Sequence, residues 1–134
     1  MHAHSSGISH CCRIPYEEVI RQNREKGIEA IVLTNHYVKN YVRDNNPKEL
    51  AERYNKEFFE AFEYGKKVDY KVFYGIEVTM ELYPNVHMLV YGVAPEFLTD
   101  NPELYELTQE ELYNLVHKNG GIWCRPTHIE TAPP

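Results

Sequence analysis

The feature that most limits the fold is the alternation of short apolar runs with longer amphipathic segments along the chain. Four apolar runs rich in β-branched and aromatic residues predict strands: 28–34, 70–80, 86–93 and 122–124. Three segments with helical spacing or helix-start signals predict helices: 15–26, 47–67 and 108–119. Strands separated by helices predict an α/β fold with a mostly parallel sheet. These elements are too few to close a barrel.

Composition narrows the class of protein and its partners. The 134 residues are 43% hydrophobic and 25% charged, as in an ordinary globular domain, which excludes a disordered tail, a collagen and a disulfide framework. A net charge of −6 disfavours nucleic acid as a partner, and no apolar run reaches the roughly 18 to 20 residues of a membrane helix. The three cysteines, of which Cys11 and Cys12 are adjacent, show no pairing pattern, so we expect a cytoplasmic protein. The oligomeric state is left open.

Histidines are concentrated at the start of the chain, where three of the seven fall within the first ten residues. On an extended segment His2 and His4 point to the same side, because strand side chains alternate with a period of two. Two imidazole nitrogens placed in this way can bind one divalent metal ion. Taken alone, the two residues could also be a pair without function near a flexible terminus, or the remnant of a purification tag.

Further candidate ligands follow along the chain. His10 lies beyond this pair across a Ser/Gly stretch, His36 follows the first long apolar run, Glu77 lies late in the second, and His87 opens the third. The carboxyl ends of neighbouring parallel strands meet at one edge of a sheet, where loops build active sites. His87 fits this rule poorly, because it precedes its apolar run. Each histidine alone is more typical of a surface or core residue, but the ordered set predicts a metal site.

Four fragments carry these residues in a fixed order: HAHSS with His10 downstream, LTNH, GIEVT and VHMLVYG. In order and spacing they resemble the PHP (polymerase and histidinol phosphatase) family, whose pattern is roughly D-x-H-x-H-S/T, T-D-H, G-x-E, a strand-associated histidine and a later H-P. The resemblance covers residues 1–121, as the N-terminal part of a PHP domain. It implies an α/β fold that is an incomplete distorted (β/α)7 barrel of PHP type with mostly parallel strands. It also implies two or three divalent metal ions (Zn, Mn or Fe), bound in smaller number or more weakly by this chain.

The resemblance implies a role for each matching residue. The implied metal ligands are His2, His4, His10, His36, Glu77 and His87. The HAH pair would bind one ion, and the glutamate would bridge it to a second ion that the strand-associated histidine also binds. The other two histidines would bind a third ion. The implied reaction is hydrolysis of a small phosphate ester by metal-activated water, with no side-chain nucleophile.

Two other functions compete with this interpretation. One is a non-catalytic metal-binding remnant of a PHP domain, inactive because its C-terminal ligands are missing. The other is an exonuclease module acting on nucleic acid, which the net charge of −6 disfavours.

The chain departs from the family pattern in three places. Met1 directly precedes His2, so the strand and acidic residue that usually come first are absent, and whether the true start lies upstream of Met1 is left open. Asn35 stands where the family often has aspartate, and its amide would orient His36 less strongly. The family's H-P, late aspartate and final histidine are also absent, which leaves each implied metal site short of a ligand. His128 is a poor substitute for the H-P histidine, because it lies one residue too far along and no proline follows it.

Residues 122–134, IWCRPTHIETAPP, are therefore predicted to be an out-of-frame or truncated tail. One C inserted before the Trp123 codon allows the bases to read Ile-Leu-Val-Gln-Ala-His-Pro-Tyr-Arg-Asn-Gly-Thr-Thr, which restores an apolar strand and the H-P motif. The present tail makes a poor strand, because proline removes a ladder donor. Resequencing the gene tests this hypothesis. We expect little phosphatase activity from the chain as written and metal-dependent turnover from the repaired chain.

Overall fold

The helices follow the local capping and amphipathic signals of the sequence. In the computed structural model, which describes residues 2–9, 13–41 and 46–124, the α-helices are α1 (Tyr16–Glu25), α2 (Pro47–Lys67), α3 (Pro95–Asp100) and α4 (Gln109–Lys118). The first turn of α2 is capped by Asn46, whose side chain accepts a hydrogen bond from the Glu49 backbone N–H. The capping box predicted for α4 is present, since Thr108 and Glu111 each accept a hydrogen bond from the other's backbone N–H. The sequence signals therefore locate these helix starts correctly.

The strands form one sheet whose centre is the longest strand. The strands are β1 (His2–Ala3), β2 (Ala30–Leu33), β3 (His36–Tyr37), β4 (Lys71–Thr79), β5 (His87–Tyr91) and β6 (Ile122–Cys124). Their order across the sheet is β1-β2-β4-β5-β6, and β3 also pairs with β4. Leu33 lies opposite Tyr74 and His36 lies opposite Glu77, so β3 continues the line of β2 in the same register. Thr34 and Asn35 form the short break between the two strands.

The directions of the strands correct the predicted fold. The pairings of β1 with β2, and of β2 and β3 with β4, are parallel, whereas β5 pairs antiparallel with both β4 and β6. The prediction of a mostly parallel, barrel-type fold is therefore wrong: across residues 2–9, 13–41 and 46–124 the sheet is mixed and does not close. The link between β4 and β5 spans only residues 80–86, whereas a parallel crossover needs about a dozen residues or more. A link this short returns the chain antiparallel.

The core lies where α2 packs on β4. Leu50, Tyr54 and Phe58 lie four residues apart on α2 and are buried, while Phe62, the next position of the same spacing, is 37% exposed. Tyr74 of β4 makes edge-to-face contacts with Tyr54 and Phe58, with ring centroids 6.1 and 4.9 Å apart. α1 packs against α2 and β2, α3 against α2, and α4 against β6. This packing fixes the sheet edge on which the candidate ligands lie.

Two further expectations concern the tail and the membrane. The strand predicted at residues 122–124 is present as β6, but the remainder of the predicted out-of-frame tail, including His128, lies outside the described residues. Among the helices that the structure describes, none has both the length and the apolar composition needed to cross a membrane.

Candidate metal centre

Four predicted ligands come together because of the strand directions. His4 follows β1, His36 lies in β3 and Glu77 lies late in β4, and these strands run parallel, so all three residues occupy one edge of the sheet. β5 runs in the opposite direction and begins at this same edge, where His87 pairs with Thr79. The antiparallel strand therefore explains why His87 reaches the site although it precedes its strand.

Glu77 is the centre of the group. Its Oε1 lies 2.9 Å from His4 Nε2, and its Oε2 lies 3.5 Å from His36 Nδ1 and 3.9 Å from His87 Nδ1. The His36 ring centroid is 4.4 Å from that of His4 and 5.6 Å from that of His87. The Glu77 side chain is 9% exposed, whereas the His87 side chain is 40% exposed. Three imidazoles thus surround one buried carboxylate, and His87 marks the side that opens to solvent.

The spacing of the donor atoms fits a metal ion. One ligand atom from each of His4, His36 and Glu77 lies within 4.8 Å of the others. Ligands held at about 2.1 Å by a tetrahedral ion are about 3.4 Å apart, and each imidazole lies at a comparable distance from a different carboxylate oxygen of Glu77, 2.9 Å from Oε1 for His4 and 3.5 Å from Oε2 for His36. A set of two imidazoles and one carboxylate is typical of zinc and similar divalent ions. These three residues could hold one ion, while His87 lies farther out and contacts Thr79 Oγ1 at 3.1 Å.

The remaining predicted ligands can be placed only in part. The structure describes the backbone of His2 as part of β1, but not its side chain, and His10 lies outside the described residues. The assignment of His2 and His10 as metal ligands therefore stays a prediction. The same is true of the assignment of separate ions to the other four residues.

Charges at the site keep Glu77 in the form that binds a cation. Burial alone would raise the pKa of the Glu77 carboxyl group, because it disfavours the charged form. The hydrogen bond from His4 and the charges of His36, His4 and His87 act in the opposite direction and outweigh burial, so the net pKa is lowered. Glu77 is therefore an ionised carboxylate at neutral pH.

A buried hydrogen-bond network joins the segment after His4 to the segment before His36. Asn35 Oδ1 accepts from the Ser5 backbone N–H at 2.7 Å and from Ser9 Oγ at 2.6 Å, and Asn35 Nδ2 donates to Ser5 Oγ at 3.0 Å. The His36 backbone N–H in turn donates to Ser9 Oγ at 2.9 Å. Asn35 thus reaches His36 through Ser9 and ties both histidine-bearing segments together.

Sequence reasoning did not identify Ser5, Ser9 or Tyr54 as part of the site. The Tyr54 hydroxyl lies 2.9 Å from the Asn35 carbonyl oxygen and 2.6 Å from that of Gly75, so it joins the two strand segments that carry the ligands. Tyr54 belongs to an apolar helix face, which made it indistinguishable from a core residue. The serine-rich segment SSGIS after HAH was a usable signal for Ser5 and Ser9.

A large concave surface lies away from this group. A groove of about 830 Å³ runs between α1, α2 and α3, and Tyr16, Phe59 and Pro95 are among its lining residues. Neither Glu77 nor any of the three histidines around it contributes to the described lining of the groove. The donor geometry, rather than a deep cavity, thus identifies the site.

No protein-family model matches this chain, and no curated protein matches it significantly. What the protein does must therefore be inferred from the site itself.

Proposed function

We propose that the protein is a metal-dependent phosphoesterase related to the PHP family, which hydrolyses a small phosphate ester with metal-activated water. The observation that carries the proposal is the convergence of His4, His36 and Glu77 within 4.8 Å. These residues belong to three separate motifs of the family pattern, and His4 and Glu77 are 73 positions apart. Residues so far apart in sequence whose donor atoms lie at distances suited to a metal ion support a shared role in metal binding.

Each residue of the group has a distinct part in the proposed chemistry. A divalent ion held by these residues would supply Lewis acidity for polarising a phosphoryl oxygen and for activating water. His4 and His36 would provide imidazole nitrogen donors, and the ionised Glu77 would balance part of the cation's charge. His87 has the most exposed side chain of the four, so we assign it to the face on which the phosphate ester approaches. Its Nδ1 is held by the Thr79 hydroxyl at 3.1 Å, which fixes the ring.

The choice of substrate and compartment follows from charge and cysteine usage. A net charge of −6 disfavours long polyanions, so we propose a small phosphate ester rather than a nucleic acid. We also propose a cytoplasmic location, because three cysteines without a pairing pattern suit a reducing compartment.

The proposal is tested by metal titration and by turnover of a chromogenic phosphate ester with added Mn²⁺ or Zn²⁺. The wild-type chain is expected to bind metal and to hydrolyse the ester only slowly, whereas Glu77→Gln and His4→Ala are expected to lose metal affinity by about tenfold or more. His117→Ala is the matched control, because His117 is an exposed histidine on α4, stacked on Tyr113. Its metal affinity and turnover should equal those of the wild type.

Three outcomes would contradict the proposal in different ways. Metal binding without turnover would identify a non-catalytic metal-binding protein. Absence of metal binding by the wild-type chain would overturn the proposal as a whole. Equal changes of metal affinity in His4→Ala and His117→Ala would show that the metal does not bind at the group around Glu77.

A further inference from the structure

Helix α2 places a buried carboxyl group directly behind the segment that follows His4. Glu57 is 8% exposed, and its Oε2 lies 2.5 Å from Ser5 Oγ and 3.2 Å from the Gly7 backbone nitrogen. Both donors therefore point at one oxygen atom. Burying a carboxyl group is unfavourable unless hydrogen bonds replace those it makes with water. These two bonds provide that replacement, and both come from the anchor segment (residues 5–9).

The anchor segment is shaped to admit this carboxyl group. A Cβ atom added at Gly7 would lie 1.8 Å from Glu57 Oε1 and 2.2 Å from Glu57 Cδ, far inside van der Waals contact. Any side chain at position 7 would therefore displace Glu57. The absence of a side chain at Gly7 is what allows its backbone N–H to reach the carboxyl oxygen.

The contact continues from Glu57 to both histidine-bearing segments. The Ser5 hydroxyl donates to Glu57 and accepts from Asn35 Nδ2, while Asn35 Oδ1 accepts from the Ser5 backbone N–H. Ser5 directly follows His4, and Asn35 directly precedes His36. Glu57 thus supports the backbone beside both imidazoles through buried bonds.

We propose that Glu57 is a positioning residue that fixes the anchor segment and thereby holds His4 against Glu77. The inference rests on the proposed function for its effect on metal binding, but the fixing of the segment is a property of the fold. Glu57 acts through Ser5 and Gly7, so its loss alters the placement of His4 without removing a ligand. The oxygen acceptor, rather than the negative charge, is the essential feature.

The test compares Glu57→Ala, Glu57→Gln and Asn55→Ala in the full chain. Asn55 is the matched control, because it is a buried polar residue of α2 whose side chain bonds the Pro95 carbonyl and the Tyr74 hydroxyl instead of the anchor segment. Two measurements are made on each protein: Co²⁺ titration followed by visible absorption, and amide hydrogen exchange at Gly7 and His36. Thermal unfolding reports the general loss of stability that any buried substitution causes.

Glu57→Ala is expected to weaken Co²⁺ binding about tenfold or more, to alter the visible spectrum of bound Co²⁺ and to accelerate exchange at both amides. Glu57→Gln keeps an oxygen acceptor, so its affinity and spectrum should stay close to those of the wild type. Asn55→Ala should lower thermal stability and leave the Co²⁺ affinity unchanged. Gly7→Ala should reproduce the effect of Glu57→Ala from the other side of the contact.

The two proposals fail in distinguishable ways. If the wild type binds no Co²⁺ but Glu57→Ala accelerates exchange at Gly7 and His36, the proposed function fails and the positioning role stands. If the wild type binds Co²⁺ and Glu57→Ala binds it equally well, the positioning role is overturned and the proposed function stands. Equal losses of affinity in Glu57→Ala and Asn55→Ala would also overturn the positioning role, because they would reflect general destabilisation.

Discussion

Replacing Tyr54 by phenylalanine removes one oxygen atom from a buried position that joins two strand segments of the site. The Tyr54 side chain is 2% exposed, and its hydroxyl lies 2.6 Å from the Gly75 carbonyl oxygen and 2.9 Å from that of Asn35. A hydroxyl has one proton, so the two contacts together count as one shared hydrogen bond. The Asn35 carbonyl also accepts from the Glu77 backbone N–H at 3.0 Å and keeps that partner in the variant.

The expected cost of Tyr54→Phe is therefore that of one buried hydrogen bond, about 1 to 2 kcal/mol of unfolding free energy. For a chain of this length, that corresponds to a fall of about 3 to 8 °C in Tm. Metal affinity should fall as well, by about three- to tenfold, because the backbone beside His36 and the strand that carries Glu77 lose one of the hydrogen bonds that hold them together. Urea unfolding and metal titration measure the two effects separately.

Tyr70→Phe is the matched control for this prediction. The Tyr70 side chain is 6% exposed, and its hydroxyl donates to the Ile28 carbonyl at 2.7 Å, which is also a single bond but is partly buried and remote from the candidate metal centre. It should lower stability by a similar amount and leave metal affinity unchanged. A stability loss below about 0.5 kcal/mol for Tyr54→Phe, or equal metal affinities in the two variants, would refute the reasoning.

Three further predictions concern the scaffold. Gly121→Ala should destabilise the fold by about 1 to 3 kcal/mol in urea unfolding, because its Cβ would lie 2.8 Å from the Tyr91 carbonyl oxygen; an unchanged midpoint would contradict this. Thr108→Ala should lower the free energy of unfolding by about 1 kcal/mol in the same assay, because it removes the α4 cap; an unchanged free energy would contradict this. Burial raises the pKa of the Tyr54 and Tyr74 hydroxyls well above 10.0, so the neutral forms stabilise the fold fully below that pH, and this contribution is lost as pH rises toward the folded-state pKa. As pH is raised, the tyrosinate absorbance of these residues should therefore rise together with unfolding. Complete ionisation of both hydroxyls in the folded protein would refute this prediction.

Local elements were predictable from sequence because their signals are local. α2 has the bounds that its pattern predicts, and the Thr108–Glu111 capping box starts α4 as expected. α3 was missed because a six-residue helix is too short to show helical periodicity. Sequence patterns thus locate long elements well and short ones poorly.

Strand direction and the supporting contacts of the site were harder to predict. Apolar patterning shows that residues 86–93 form a strand but not which way it runs, and the short 80–86 link carried that information instead. The motifs indicated His4, His36 and Glu77, because metal-binding residue types stand out at strand ends. Long-range partners stand out less, since Tyr54 lies 19 positions from Asn35 and 21 from Gly75, on a helix face patterned like any core face.

The short edge strand β1 also positions His4 at the site. β1 has only two residues paired with β2, yet the His4 that follows it meets Glu77 73 positions away. Closing a loop of that length costs about 4 kcal/mol of chain entropy, which the contacts of the anchor segment offset within the fold. If the group binds a metal ion as proposed, His4 acts at a high effective concentration, as one part of an intramolecular chelate. If the chain were cut between α1 and β2, the same imidazole would have to bind as a separate molecule, and a metal site of unchanged composition would become dependent on peptide concentration.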